Sequence, residues 1–339
     1  MVIQEAIRAL IDRGDIRPDE ARGAMEEIMT GAATPSQMGA FLAGLRMRGE
    51  TPEIVAACWD VLERHAEPVV AEDVIDVVGT GGDGADTINV STAAAIVVAG
   101  AGGRVAKHGN RAASSKCGSA DVLEALGARI DIGGEQAARI IDECGFCFLF
   151  AQRFHPAMKN VGGTRREMAV RTIFNVLGPL SNPARPARVL AGVGARELAP
   201  LVADAFALRG IQRSIVVHSA DGLDEISPSG VTHAWFVGEG AVAERELRPA
   251  SFGLPEHPLE SIVGGDAPHN ARVLRAVLDG VEGPALDFVL ANAGAACYVA
   301  GLADDLPAGV EVARKSISSG AAQQVLDLYI SLTQEYSSE

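Results

Sequence analysis

The sequence predicts an α/β protein: a small N-terminal helical domain followed by a large, mostly parallel α/β domain. Three observations carry that expectation. Residues 1 to 65 place apolar side chains at helical spacing alone. From about residue 70, short β-branched runs alternate with helical stretches of about ten residues, the pattern of a helix-covered parallel sheet. The first of those runs, Val74-Ile75-Asp76-Val77-Val78, ends in the glycine-rich stretch Gly79-Thr80-Gly81-Gly82-Asp83-Gly84.

In chain order, Ile3, Ile7, Leu10 and Ile11 share one helical face, and Pro18 opens a second helix with the stripe Ala21, Met25, Ile28 and Met29. Thr34-Pro35 and Thr51-Pro52 each set a capping hydroxyl before a proline, and Gln37 completes a capping box with Thr34. The faces behind those starts are Met38, Phe41, Leu42, Leu45 and then Ile54, Val55, Cys58, Trp59, Leu62, so a bundle of four helices is expected. After the strand at 74 to 78 come an alanine-rich helix over 91 to 101, a strand near Val105 and a helix from Ser119. A strand at 129 to 132, a helix at 134 to 143 and an apolar strand from Phe146 to Phe150 follow. Further strands are expected at Val189 to Val193, Ser214 to His218 and His233 to Val237, with helices near 196 to 209, 268 to 280 and 286 to 301. Residues 155 to 183 interrupt the alternation with a basic helical stretch and the turn-rich GPLSNPARP.

At 339 residues the chain is about two domains long. Its 44 acidic against 29 basic residues give a net charge of −15, which argues against a general nucleic-acid or anionic-membrane binder. Any anionic ligand must therefore be held by a local site. Five scattered cysteines, an odd number, fit a reducing compartment. The chain opens on an amphipathic pattern without a charged-then-apolar leader, and no apolar run approaches the roughly 18 to 20 residues that span a bilayer. A cytoplasmic protein is expected.

The glycine stretch formally contains the G-x-G-x-x-G of dinucleotide-binding folds. Yet the next helix is not expected before about Ser91, and the region where an acidic ribose ligand belongs, Arg104 to His108, is basic, so NAD binding is disfavoured. What survives is an anion site, because glycines at the carboxyl end of a strand let backbone N–H groups converge without Cβ interference. Asn89-Val90-Ser91-Thr92 starts the next helix, with Ser91 or Thr92 expected as its cap, and that helix end adds its N–H groups and dipole to the same site. KHGNRAASS, Lys107 to Ser115, follows the second strand and therefore lies at the same sheet edge, where open α/β sheets bind ligands. Lys107 and Arg111 would supply charge for phosphate and Gly109 a turn; an ordinary solvated loop is the plainer alternative. Cys144-Gly145-Phe146-Cys147 has redox-pair spacing, but it ends a helix and enters a strand, which is the wrong order for a dipole-activated thiol.

In their order and spacing, GTGGD (79 to 83), NVST (89 to 92), KHGNRAASS, GSADVLEALG (118 to 127), RREMAVRTIFNVLGPLSNPA (165 to 184) and DGLDEIS (221 to 227) resemble the anthranilate phosphoribosyltransferases of tryptophan biosynthesis. The resemblance covers nearly the whole chain. It implies the nucleoside phosphorylase / phosphoribosyltransferase fold, with residues 1 to 66 and a returning segment at about 163 to 183 as the small helical domain. Residues 67 to 162 and 184 to 339 would form the large domain that binds phosphoribosyl pyrophosphate. The family's donor contacts fall on Gly79, Gly82, Asp83, Thr87, Asn89, Val90, Ser91, Thr92, Lys107, His108, Gly109, Asn110, Arg111, Ala112, Ala113, Ser114, Ser115 and Ser119. Ser119 opens a helix and is expected to cap it as well. The metal ligands fall on Asp224 and Glu225, with Ser91 completing the shell of a second Mg²⁺; adjacent carboxylates suit that hard ion, though alone such a pair reads as solvated surface. Anthranilate contacts fall on Gly79, Asn110 and Arg165, with His108 and His155 lining the region. Arg165 is the carboxylate partner, since a guanidinium grips a carboxylate in two parallel hydrogen bonds. A homodimer acting on two small molecules, with no nucleic-acid or membrane partner, is also implied.

The implied reaction displaces pyrophosphate at ribose C1 by the anthranilate amine through a centre of oxocarbenium character, so the work is charge stabilisation and alignment. An aniline nitrogen needs no strong base, and none is assigned. A pyrimidine nucleoside phosphorylase is disfavoured by Asn110 and RREMAVRTIF. A noncatalytic nucleic-acid-binding relative is disfavoured by the net charge of −15 and by the intact Asp224-Glu225 pair. Cys117, inside the loop region, is expected to sensitise the protein to thiol reagents.

Overall fold

Prolines and threonines start the chain's first helices where local chemistry places them. The computed structural model describes residues 1–81, 84–112 and 115–336. On α3 (Pro35–Arg48) the Gln37 amide donates to Thr34 Oγ1 at 3.3 Å and the Thr34 amide donates to Gln37 Oε1 at 2.9 Å, a closed capping box. The Thr51 hydroxyl accepts from the Ile54 amide and caps α4 (Pro52–His65). With α1 (Val2–Arg8) and α2 (Pro18–Met29) these helices form the N-terminal bundle. One face is corrected: α1 widens into a π-helical turn, Ala9–Arg13, and the altered rotation sends Ile11 into solvent at 65% exposure while Ile3 and Leu10 stay buried.

The sheet is built from β1 (Val74–Gly79), β2 (Arg104–Gly109), β3 (Phe146–Phe150), β4 (Arg188–Gly192), β5 (Arg213–Ser219), β6 (Thr232–Gly238) and β7 (Ala241–Leu247). Their spatial order is β3-β2-β1-β4-β5-β6-β7, parallel through β5 and antiparallel beyond it. The chain winds outward from β1 to β3 and then returns to β4 on the other side of β1. That reversal makes the carboxyl ends of β1 and β4 the topological switch point, where open α/β sheets leave a crevice for ligands.

Period-two alternation along the strands divides the apolar interior in two. Ile75, Val77, Leu190, Ile215 and Val217 pack under α5 (Val90–Gly100), α7 (Gly134–Cys144) and α13 (Pro284–Ala300). Val78, Val189, Ala191 and Val216 face the opposite way, toward α11 (Ala199–Leu208), α10 (Ile173–Leu177) and the N-terminal bundle. α9 (Lys159–Met168), preceded by the short α8 (Ala151–Phe154), packs on α2 and α3. The remaining helices are α6 (Ser119–Ala125), α12 (Ala267–Leu278), α14 (Leu306–Ser318) and α15 (Ala321–Tyr336).

The expected strand at 129 to 132 does not form. The alternation of Ile130 and Ile132 is real and both are buried, but the segment has no strand neighbour, and the Arg129 amide bonds instead to the Thr333 hydroxyl at 3.1 Å. β7 and the last two helices go beyond the expected elements. β7 is a largely exposed edge strand without an apolar face, turned back on β6 through Glu239 and Gly240 at positive φ.

Candidate active site

β1 and β4 end in glycines that are register partners, Gly79 and Gly192. Both are required by what lies over them. A Cβ on Gly192 would stand 1.5 Å from the Asp224 carbonyl oxygen, and one on Gly79 would stand 2.5 Å from Asp224 Oδ2. The two hydrogen side chains thus leave a notch at the switch point, and the loop carrying Asp224 and Glu225 sits in it. Gly81, at positive φ, donates its amide to Asp224 Oδ2 at 2.6 Å. Gly82 and Asp83 lie outside the described residues.

The rest of DGLDEIS shapes that loop. Asp221 gathers the hydroxyls of Ser219, Ser227 and Ser229, and against the burial that would raise its pKa these donors hold it low. Asn292, fully buried on α13, clamps Ile226 by accepting from its amide and donating to its carbonyl. Neither role is visible in sequence, because Asn292 lies 66 residues away from the backbone it holds.

KHGNRAASS begins earlier in the fold than expected: Lys107, His108 and Gly109 belong to β2 itself, which ends before Asn110. Lys107 points inward. Its ammonium donates to the Val77 carbonyl at 2.5 Å and to Ser91 Oγ at 3.2 Å, with Asp76, Glu225 and Asp224 as its charged neighbours. Ser91, Lys107 and the carboxylate pair are therefore brought together at the switch point. Arg111 is held by Glu124 and Asp121, and Asp121 also accepts from the amides of Ala112 and Gly118. That fold-back is why residue 118 is glycine, since a Cβ there would meet the Ala112 amide at 2.3 Å. Ala113 and Ser114 lie outside the described residues; Ser115 is exposed.

Both expected caps are corrected. The N-cap of α5 is Asn89, with Val90, Ser91 and Thr92 already in the first turn, and the N-cap of α6 is Gly118 rather than Ser119. Asn89 instead ties the helix start to the neighbouring loop, donating to the Cys117 carbonyl at 3.0 Å and accepting from Asn270 at 2.9 Å. Thr87 bridges to Val263 beside it. Cys117 is buried and burial pushes its thiol up to about 11, so the expected reagent sensitivity does not follow. Cys144 and Cys147 are buried too and their thiols are pushed up, in keeping with the order of helix and strand around them.

On the far side of β2, His108 and His155 stack edge to face with ring centroids 5.2 Å apart. Burial drives both pKa values down, His155 to about 4, so both rings are neutral at physiological pH. Each is bonded to backbone of the GPLSN turn, His108 at Gly178 and His155 at Ser181, and each leaves a buried Nε2 without a partner among the described residues. Asn110 is exposed and receives hydrogen bonds from Gln152 (3.2 Å) and the Arg111 amide (2.8 Å).

Arg165 stands on another element, α9. Its guanidinium lies 5.2 Å from the Phe174 ring centre, half-buried, with its pKa lowered by that burial. Among the described residues no carboxylate pairs with it. A half-buried guanidinium of this kind has the donor geometry to take a carboxylate in two parallel hydrogen bonds.

A family model for the helical bundle domain of a glycosyl transferase family matches residues 4–66, and that family's a/b domain model matches residues 71–323. An anthranilate phosphoribosyltransferase of Thermomicrobium roseum is 52% identical over 91% of this chain and 90% of its own. That of Anaeromyxobacter dehalogenans is 50% identical over 98% and 99%. The crystal structure of the Thermus thermophilus enzyme superposes with a TM-score of 0.92 at 40% identity, covering 98% of this chain and 99% of the other. The chain belongs to the anthranilate phosphoribosyltransferase family. The Saccharomyces cerevisiae enzyme is similar in its complex with PRPP and Mg (TM-score 0.89, 30% identity) and in its complex with 4-fluoroanthranilate (0.88, 29%), each covering 98% of both chains.

The residues at the switch point fit a Mg²⁺ ion, the metal in the Saccharomyces cerevisiae complex. Asp224, Glu225 and Ser91 offer oxygen donors only, and a small hard cation takes one or two carboxylates while keeping waters and substrate phosphates. The glycine notch holds the carboxylate loop against the strand ends.

Proposed function

We propose that the protein transfers the phosphoribosyl group of 5-phosphoribosyl 1-pyrophosphate to the amine of anthranilate, giving N-(5-phosphoribosyl)anthranilate and pyrophosphate in L-tryptophan biosynthesis. One observation carries this reading: a carboxylate pair, a hydroxyl and a buried ammonium converge at the β1–β4 switch point, while an unpaired guanidinium waits on a separate helical segment. The first group suits a polyanionic donor and the second an aromatic carboxylate.

In this reading the donor is held by Gly79, Gly82, Asp83, Thr87, Asn89 to Thr92, Lys107 to Ser115 and Ser119. Asp224 and Glu225, with Ser91 as a further oxygen donor to one ion, hold two Mg²⁺ ions, which when bound offset the charge of the pyrophosphate leaving group. Lys107 acts from a buried position at low dielectric, where burial lowers its pKa against the opposing pull of Asp76, Glu225 and Asp224. Arg165 grips the anthranilate carboxylate, and Gly79, Asn110, His108 and His155 orient the ring and its amine. Neutral histidines with low pKa values are poor proton stores near neutrality, so their work is positioning rather than base catalysis. Residues 1 to 66 with 163 to 183 close on 67 to 162 and 184 to 339 to align the two substrates. The protein works as a homodimer in the cytoplasm. Exposed Val2, Ile11 and Met47 on the N-terminal helices support the first statement, and five free cysteines support the second.

Mixing the protein with anthranilate, phosphoribosyl pyrophosphate and Mg²⁺ should consume the fluorescence of anthranilate, and withholding Mg²⁺ should stop the loss. No Mg²⁺-dependent decay would sink the reading.

A further inference from the structure

The parallel ladder between β1 and β2 stops early. Its pairs are Val74 with Arg104 and Ile75 with Val105, although β1 continues alongside β4 to Gly79 and β2 continues alongside β3 to Gly109. Beyond Ile75 the two central strands stay side by side but no longer pair as a regular ladder. Their backbone groups are met by buried side chains instead. The His108 amide donates to Asp76 Oδ1 at 3.1 Å, the Ala106 carbonyl accepts from Asn182 Nδ2 at 2.7 Å, and the Val77 carbonyl accepts from Lys107 Nζ at 2.5 Å. Asn182 Nδ2 also donates to Asp76 Oδ2 at 2.8 Å, and Asn182 Oδ1 is fixed by the Ala184 amide at 2.8 Å. All three side chains are at most 2% exposed.

A sheet interior that exchanges ladder bonds for a carboxylate, an amide and an ammonium gives up stability for a charged group in a fixed place. We infer that Asp76 and Asn182 are positioning residues: they form a side-chain bridge where the β1–β2 ladder lapses and hold the Lys107 side chain beside Ser91 and the Asp224-Glu225 loop, where the phosphoribosyl donor binds. This rests on the reading that Lys107 serves the donor. Asp76 supplies a partner for the buried Lys107, and Asn182 fixes the carboxylate by donating to it and to the Ala106 carbonyl. Because Asn182 lies in the turn that also bonds His108 and His155, the bridge is tied to the segment returning from the helical bundle.

The test is a pair of Michaelis constants in a mutant cycle. Asp76→Asn keeps the shape and an acceptor for the His108 amide but removes the charge. It should raise KM for phosphoribosyl pyrophosphate at least about tenfold and leave KM for anthranilate within about twofold. Asn182→Ala should move the same constant in the same direction, and it carries the test if Asp76→Asn does not fold. In a Lys107→Met background Asp76→Asn should add less than about twofold, since a residue acting through Lys107 has nothing left to act on. Equal shifts in both Michaelis constants, or full additivity with Lys107→Met, would overturn the bridge while the transferase reading stands. A wild-type protein that turns over neither substrate would overturn the transferase reading and the bridge with it.

Discussion

Single side chains divide the labour at this site by their burial and pairing. Arg111 and Lys107 look alike in sequence, yet Arg111 is exposed and pairs with Glu124 and Asp121 while Lys107 is buried and faces the carboxylate loop. Arg165→Ala should raise KM for anthranilate about 10- to 100-fold, the worth of a charge-assisted bidentate contact, and change KM for phosphoribosyl pyrophosphate less than about threefold. Steady-state kinetics with each substrate varied in turn reads the split, and equal effects would refute the clamp. His155 gives a pH signature. Burial pushes it down to about 4, against about 6.5 in an unfolded chain. As pH falls between those values the unfolded chain binds a proton the folded one refuses, so His155 costs stability progressively, of order 3 kcal/mol by the lower end. Burial also raises the pKa of Asp76 against the pull of Lys107 and Asn182, so wild type alone would blur the effect. Thermal melts of wild type and His155→Gln from pH 7 to 4.5 should therefore differ increasingly in favour of the variant as pH drops. A pH-independent difference would contradict the buried neutral imidazole.

At the scale of elements, the site is seated by where strands end and what their last residues lack. Gly192→Ala must push the Asp224 carbonyl aside, so activity should fall at least about tenfold and the Mg²⁺ concentration for half-maximal rate should rise. Gly230→Ala, with open space around its Cβ position and no positive φ, is the control that should leave stability within about 0.5 kcal/mol. Unchanged Mg²⁺ dependence in Gly192→Ala would remove the notch from the account. What is legible in the sequence follows the same line between local and distant. The Thr34 and Thr51 caps are readable because cap and partner lie three residues apart. Residues 129 to 132 mislead because alternation reports burial on one side, whereas a strand also needs a neighbour that only the tertiary fold supplies. The loop at Asp224 is readable as a motif, but Gly192 beneath it is not, since nothing near Gly192 in sequence announces a close approach 32 residues later. Asp76 and Asn182, 106 residues apart, are invisible for the same reason.

For the whole molecule, strand order turns scattered motifs into one place. The return of β4 to the side of β1 brings glycine ends, Ser91, Lys107 and the Asp224-Glu225 loop to one sheet edge, while α9 carries Arg165 on the helical side. In the proposed reading, donor groups on the sheet edge and Arg165 on the helical segment meet each substrate's charge on its own side, which suits a two-substrate displacement. The most direct measurement follows phosphorus-31 resonance in a mixture of the protein, Mg²⁺, phosphoribosyl pyrophosphate and anthranilate. The diphosphate signals of the donor should be replaced by free pyrophosphate in a one-to-one ratio with anthranilate consumed, and chelating Mg²⁺ should stop both. Pyrophosphate released without loss of anthranilate, or no change in either, would contradict it.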